Sequence, residues 1–375
     1  MFSLALSNLF YDKVRFAITL IGVIFAILLA SLQIGLLVSF TLSSSNIIDN
    51  SKADFWIASQ KIKFLESGEA ISESNFYQVQ AMPEVERAEK LVYSAAFWKK
   101  PAGGREEIAL AGFDPDAKLT QPWNIVAGSV DDLRQNDTIM IDELYLEKLG
   151  VSRELGQTVE INNRRARIVG LTKSIRTFTT APLIFTSFKN AQNYISLPPE
   201  KTTFVLVKAK PQIDLKNFGQ TLKTRSPSVD VLSTAEFSTM TRSYWMLSTG
   251  AGSALISTAI LGLVVGLVVV AQTIYGSTVE YIREYGTLKA IGASNSYLYN
   301  LIICQAVIIS IFGYAIGMGA SLAIAYSSRD ADIAVIIPWQ IILGMFALAV
   351  VMCVSASLLS VNKVIRLDPA IVFKN

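Results

Sequence analysis

EYIREYGTLKAIGAS, residues 280–294, is a charged, glycine-punctuated segment lying between two long apolar runs. Its charges, Glu280, Arg283, Glu284 and Lys289, fall at helical spacing, with the first three crowded onto about one turn. Ile282, Leu288 and Ile291 add apolar contacts, and Gly286 and Gly292 punctuate the helix on either side of 287–291. On spacing alone the segment reads equally as a solvated turn or as a handle shaped for a partner. A connection between neighbouring membrane helices stays short and plain unless something must grip it. Its chemistry therefore points to a soluble partner.

Outward from this segment the chain is apolar in blocks. Windows 16–48, 243–279, 290–328 and 333–362 carry no charge, and each exceeds the roughly 20 residues that cross a bilayer core. Residues 43–245 have ordinary soluble composition, with 25 Lys/Arg against 24 Asp/Glu. The net charge of +3 therefore comes from the membrane flanks, and nucleic acid is not an expected partner. The chain has no histidine, which removes histidine bases, triads and metal ligands. Cys304 and Cys353 both fall in apolar windows, so no disulfide is implied. No phosphate-cradling glycine loop ending in Lys-Ser or Lys-Thr occurs. No catalytic residue, metal site or cofactor of its own is expected of this chain.

The order of segments gives the expected architecture. Residues 1–15 alternate apolar and polar side chains, as an interfacial helix does. The apolar run that follows is too long for a cleaved signal, so 16–42 is read as a retained first span. The remaining spans are expected at 246–275, 297–326 and 333–361, with a connecting loop at 276–296 and a tail at 362–375. Lys13, Arg15, Arg283, Lys289, Lys363, Arg366 and Lys374 flank one side of the spans, against Arg329 on the other. Both termini and the 280–294 loop are thus expected in the cytoplasm.

Residues 43–245 then form an external α+β domain. Strands are expected at 53–59, 88–99, 107–113, 203–208 and 229–232, with helices at 72–82 (opened by Ser72) and 215–224. Two β-α-β units separated by an insertion suggest a ferredoxin-like layer split in the middle. The insertion, about 114–197, is expected to be a small β-rich lobe with strands at 138–142, 158–162 and 165–171 and a turn at Asn162-Asn163. Residues 236–245 are expected to run as helix straight into the second span, so that two helices carry the domain as a stalk.

Within the spans, Gly262 and Gly266, and Gly313 and Gly317, stand at helix-packing spacing. No ionisable residue lies inside a span, so a proton relay has no carrier. In the domain, Asp131, Asp132, Asp142 and Glu143 are the carboxylates an enzyme would draw on. Asp142-Glu143 reads rather as the start of a helix over 144–149, and Arg164, Arg165 and Arg167 as a solvated hairpin face.

The 280–294 segment resembles the loop by which ABC transporter permeases of the MacB and FtsX type (type VII of that superfamily) dock on their ATPase. Arg283, Glu284, Gly286, Leu288, Lys289, Ala290, Gly292 and Ala293 stand where that pattern wants them, with Glu280 and Ile291 beside them. The amphipathic start, four spans, large domain after the first span and Pro369-Ala370 extend the likeness along the chain. The first span and DFWIAS are similar to DevC-like permeases of three-part exporters. The resemblance implies a homodimeric permease in the bacterial inner membrane that transmits the motion of a separate ATPase, which carries ATP and Mg. A periplasmic adaptor, an outer-membrane duct and membrane lipid are the further partners it implies. A non-transporting transmitter that activates a periplasmic enzyme, and a lipoprotein-releasing permease, are alternatives from the same resemblance. A membrane-bound enzyme is the reading from a different class.

Overall fold

The computed structural model describes residues 13–177, 179, 181–280, 287 and 293–365. They divide into two compact units. One holds Met1–Ser39, Gly252–Arg329 and Ala334–Asn375; the other holds Phe40–Ala251 and Asp330–Ile333.

Chain order is α1 (Lys13–Ser44), α2 (Asn46–Asn50), β1 (Phe55–Ala58), β2 (Ile71–Ser72), α3 (Ser74–Gln80), β3 (Val85–Lys99), β4 (Arg105–Phe113) and β5 (Ile125–Ala127). Next come β6 (Thr138–Asp142), α4 (Leu146–Leu149), β7 (Thr158–Ile161), β8 (Arg164–Thr172), β9 (Leu183–Ser187), α5 (Phe188–Tyr194), β10 (Lys201–Thr202) and β11 (Phe204–Ala209). The last elements are α6 (Leu215–Arg225), β12 (Asp230–Ser233), α7 (Thr234–Ser243), α8 (Ala251–Glu280), α9 (Asn295–Ser327) and α10 (Trp339–Ile365).

In the β-containing unit the sheet order begins β12-β1-β11-β3, and each of these neighbours is antiparallel. With α3 between β1 and β3, and α6 between β11 and β12, this is the split ferredoxin-like order that two β-α-β units produce. The insertion lies between the second and third strands of that motif. It does not close a separate sheet: β4, β9, β6, β8 and β5 extend the same one. The fifteen-residue β3 is the reason. Its first half pairs with β11 and its second half with β4, while its tip meets β7.

Alternate side chains of these strands fill different cores. Leu91, Tyr93, Leu206 and Trp56 share one, where Trp56 packs against Phe204 (centroids 5.5 Å) and Phe237 (5.4 Å). Val92 enters a second core with Trp98, Ile108, Tyr145 and Ile168, and Val205, Val207, Phe55 and Ile57 a third under α3 and α6. Burial of both faces explains why β1, β6 and β9 show no alternation of buried and exposed residues: every position in them is buried.

Several boundaries move. Ser72 does not open the first helix: it lies in β2, paired with β10, and its Oγ accepts from Ser74 N (3.2 Å) one residue pair later. The helix before the second span is not straight. α7 opens on a Ser233–Glu236 capping box, whose backbone hydrogen bond from Ser233 lowers the Glu236 pKa. It gives way to a π-helical turn at Tyr244–Ser248, and Gly250 takes φ +75° before α8 begins. The fourth span, expected from residue 333, starts at Trp339. Pro338 keeps the preceding residues extended, and its carbonyl accepts from Ile341 N (3.0 Å) and Ile342 N (3.3 Å).

Asp142 is fully buried and accepts from Thr172 Oγ1 (2.9 Å), Ile175 N (2.9 Å), Ser174 N (3.0 Å) and Leu144 N (3.0 Å). It pins the end of β6 to the β8–β9 connection. Asp142→Asn, which sets an amide N–H against those donors, is expected to destabilise the unit by about 2 kcal/mol; Thr172→Val, which deletes one bond, should cost ~1 kcal/mol. A Cβ on Gly112 of β4 would meet Ala191 Cβ on α5. Gly112→Val is expected to cost roughly 1–3 kcal/mol by overpacking. Chemical unfolding of the full chain, followed by tryptophan fluorescence, checks all three.

Candidate coupling segment and the helix bundle that holds it

The candidate segment is the connection between α8 and α9. Glu280 is the last residue of α8, and Ala293 is half-buried and non-helical. Ser294 caps α9 in extended conformation (ψ 154°), its Oγ accepting from Tyr297 N at 3.2 Å. Arg283, Glu284, Gly286, Leu288, Lys289, Ala290, Ile291 and Gly292 lie outside the described residues, as do residues 1–12 of the amphipathic start. Ser294, three residues before Tyr297, is a start signal legible in the sequence.

Four helices are long and apolar enough to cross a membrane: Phe16–Ser44, Ala251–Gln272, Asn295–Asp330 and Trp339–Leu358. Glycines set how closely they approach. A Cβ on Gly262 of α8 would strike Leu29 of α1, and one on Gly266 would strike Ala26. On α9, a Cβ on Gly313 would lie 2.5 Å from Val23 Cγ1, and one on Gly317 would lie 3.0 Å from the Ile24 carbonyl oxygen. All four glycines thus face α1.

Two contacts escape the sequence reading. A Cβ on Gly22 of α1 would come 2.8 Å from Val269 Cγ1. Ser31 Oγ and Ser321 Oγ, both fully buried, are 2.6 Å apart between α1 and α9. The signal was present: Gly22, Ala26 and Ala30 repeat every fourth residue on α1, a small-residue row that turns one helix face into a groove. Around it the core comprises Val23, Ala26, Ile27 and Ala30 with Val270, Ala306, Ile309 and Ala349. Tyr314 donates its hydroxyl to the Ile342 carbonyl at 2.8 Å, tying α9 to α10. The two helices that bracket the candidate segment are therefore each seated on α1.

The carboxylates of the other unit are committed elsewhere. Asp142 is satisfied as described. Glu143 pairs with Arg153 (3.1 Å) and Lys173 (3.2 Å). Asp132 accepts from Ser129 N (2.8 Å), and Asp131 lies 3.1 Å from Arg134 Nε. Arg134 also grips Asp116, and holds that carboxyl below the usual carboxylate range. Arg164, Arg165 and Arg167 are exposed along the β7–β8 hairpin, whose turn puts Asn162 and Asn163 at φ 47° and 64°. Among the described residues no three His, Cys, Asp or Glu side chains converge on a point where a metal could sit.

A family model described as "MacB-like periplasmic core domain" matches residues 16–225, and one described as "FtsX-like permease C-terminal" matches residues 256–369. An uncharacterized ABC transporter permease of Mycobacterium bovis is 22% identical over 375 residues, covering 98% of both chains. The uncharacterized ABC transporter permease YknZ of Bacillus subtilis is 22% identical over 392 residues, covering 98% of this chain and 96% of its own. Among solved structures, the periplasmic region of MacB from Actinobacillus actinomycetemcomitans matches 51% of this chain and 92% of its own, at 15% identity and a TM-score of 0.35. The extracellular domain of YknZ from Gram-positive bacteria matches 48% and 100%, at 13% identity and a TM-score of 0.36. With the first model matched over more than half of its length and the second over the spans that follow, this chain belongs to the MacB/FtsX-type ABC transporter permeases, multi-pass membrane proteins.

Proposed function

We propose that this permease is the membrane half of an ATP-driven exporter whose ATPase is a separate subunit. Two copies of the chain present residues 280–293 to two ATPase subunits. Closure of the ATPases on ATP and Mg draws these segments together, and α8 and α9 pass the displacement through α1 to the inserted domain. Substrate is taken up and pushed onward outside the membrane core, toward an adaptor and an outer-membrane duct. The observation that carries this reading is the match of both family models on one chain, with the charged 280–293 segment set between two helices that each seat on α1. The positive charge flanking the termini and this segment supports a cytoplasmic placement for all three, in a bacterial inner membrane. Spans without ionisable side chains support transmission by displacement over an ion-coupled route.

In the segment, Arg283, Glu284 and Lys289 carry the ionic contacts, and Gly286 and Gly292 shape the turn. Exposed ion pairs contribute roughly 0–1 kcal/mol each, so Leu288 and Ile291 supply as much of the grip. Glu284→Lys and Gly292→Trp are expected to leave unfolding of the inserted domain unchanged. Each should cut transport per ATP hydrolysed by at least about tenfold, equivalent to ~1.4 kcal/mol of coupling. Transport by the permease–ATPase complex reconstituted in liposomes is the measurement, and full activity of both variants rejects the docking role. Co-purification from native membranes separates the alternatives: an adaptor supports export, whereas a cell-wall hydrolase in its place marks a signal transmitter.

A further inference from the structure

Three stretches of the β-containing unit, each continuous in sequence with a span, are bonded to one another by side chains. Ser44 at the end of α1 and Ser45 just after it are buried, and Ile47 and Ile48 of α2 are packed into the core. Asp49 of α2 accepts from Ser45 Oγ (2.6 Å), Ser238 Oγ (2.7 Å) and Arg242 Nη2 (2.5 Å). Arg242 also donates Nε–H to Ser45 Oγ (2.7 Å). One carboxylate and one guanidinium thereby bind α2 to α7, the helix that precedes α8.

From the same helix, Asn46 Nδ2 donates to the Arg176 carbonyl (2.9 Å), in the connection between β8 and β9. Arg176 Nε in turn donates to the Ala331 carbonyl (3.1 Å), in the connection between α9 and α10. The path continues inward. Tyr145, in the core of the inserted strands, has its hydroxyl pKa pushed up by burial first and by Asp332 second, with Arg176 opposing. Both charges therefore act on one buried ring.

We propose that these residues form a positioning collar: Asp49 and Arg176 fix the exit from α1, the approach to α8 and the α9–α10 connection in one relation, and Arg176 passes a shift of any of them to the inserted strands. The inference rests on the reading in which the spans drive the domain. Its physical basis is contiguity. The links are hydrogen bonds of 2.5–3.1 Å, the two nodes are charged, and α2 is held in register by buried isoleucines, so that loosening one node frees the other.

The test uses the full-length permease in lipid nanodiscs, with Cys304 and Cys353 replaced by alanine and a nitroxide attached at an Ala331→Cys substitution. Ala331 is exposed, and only its backbone takes part in the Arg176 bond. Arg176→Gln is expected to shorten the rotational correlation time of the label by about twofold or more, and Asp49→Asn to do the same from the far end of the path. The double variant should mobilise it no further than Arg176→Gln alone, because both changes cut one chain of contacts. Asp49→Glu should restore the wild-type spectrum. A label freed by Arg176→Gln but unmoved by Asp49→Asn overturns the collar, as does additivity of the two changes. Where Asp49→Asn unfolds the chain, Arg242→Lys replaces it, keeping the charge while losing the two-point grip. The label measurement needs no ATPase, so its failure is separate from a failure to find one. In the permease–ATPase complex the same variants should lower transport per ATP, and unchanged transport with a freed label refutes the use of the collar in transmission.

Discussion

Close approach of backbones along α1 is the contact on which the span bundle depends. Lipid tails are as apolar as leucine, so apolar burial alone gives helices little reason to associate; dispersion at short range and a few hydrogen bonds must supply it. Gly262 and Gly266 bring α8 onto α1, Gly313 and Gly317 bring α9 onto it, and the Ser31–Ser321 pair adds a bond in a place with no water to compete. A Cβ at Gly266 or Gly317 would meet backbone atoms of α1, one at Gly313 the branched Val23 side chain, and one at Gly262 the end of Leu29. The helix that leads directly into the inserted domain is therefore also the helix that the others grip. That coincidence ties the sequence of α1 to both halves of the proposed task.

The inserted domain solves its own packing with a comparable economy. A ferredoxin-like motif needs four strands, and here its second strand simply continues. β3 runs on for fifteen residues and becomes the base on which the inserted strands are laid. A continuous strand joins the two parts through a ladder of backbone bonds, where a linker would let them move separately. Leu91 and Val92, adjacent in β3, enter different cores, so a displacement felt at one is felt at the other. Asp142 closes the arrangement at its far end by satisfying four donors, two of them, Ser174 N and Ile175 N, in the β8–β9 connection that also carries Arg176.

Much of this was legible in the sequence because it rests on signals of short range. β-branched runs bounded by turns located β1, β3, β4, β11 and β12, and their alternation with two helices was enough to give the split ferredoxin-like order. Asn162-Asn163 announced a hairpin with both residues left-handed. What stayed hidden depends on partners far away in the chain. Leu183–Ser187 is an unremarkable five-residue run until β4 and β6 flank it. Continuity of the sheet cannot be read from β3 alone, since nothing local says that a strand changes partners halfway. Pro338 was a local signal, outweighed by an apolar window that ran straight through it. The π-helical turn at Tyr244–Ser248 has no sequence signature; it sits where Phe64 stacks on Tyr244 (4.0 Å between centroids) and Trp245 Nε1 approaches Glu66 (3.4 Å). The chemistry of 280–293 was the most explicit message in the chain, and its geometry falls outside the described residues.

On the proposed reading, the two routes from the spans to the domain differ in stiffness. α1 runs unbroken for 32 residues from Lys13 to Ser44, about 48 Å at 1.5 Å per residue, and is followed by the buried Ser45, whose hydroxyl is bonded to Asp49 and Arg242. The other route passes from α7 through a π-helical turn and a left-handed glycine before α8 begins. A π turn carries its hydrogen bonds one residue out of step, and Gly250 adds a backbone position with few steric limits. A continuous helix resists bending more than a segment interrupted by a π turn and a left-handed glycine, so under the proposed transmission α1 is the stiffer route. Under the same proposal the Asp49–Arg242 contact between α2 and α7 ties the interrupted route to the continuous one.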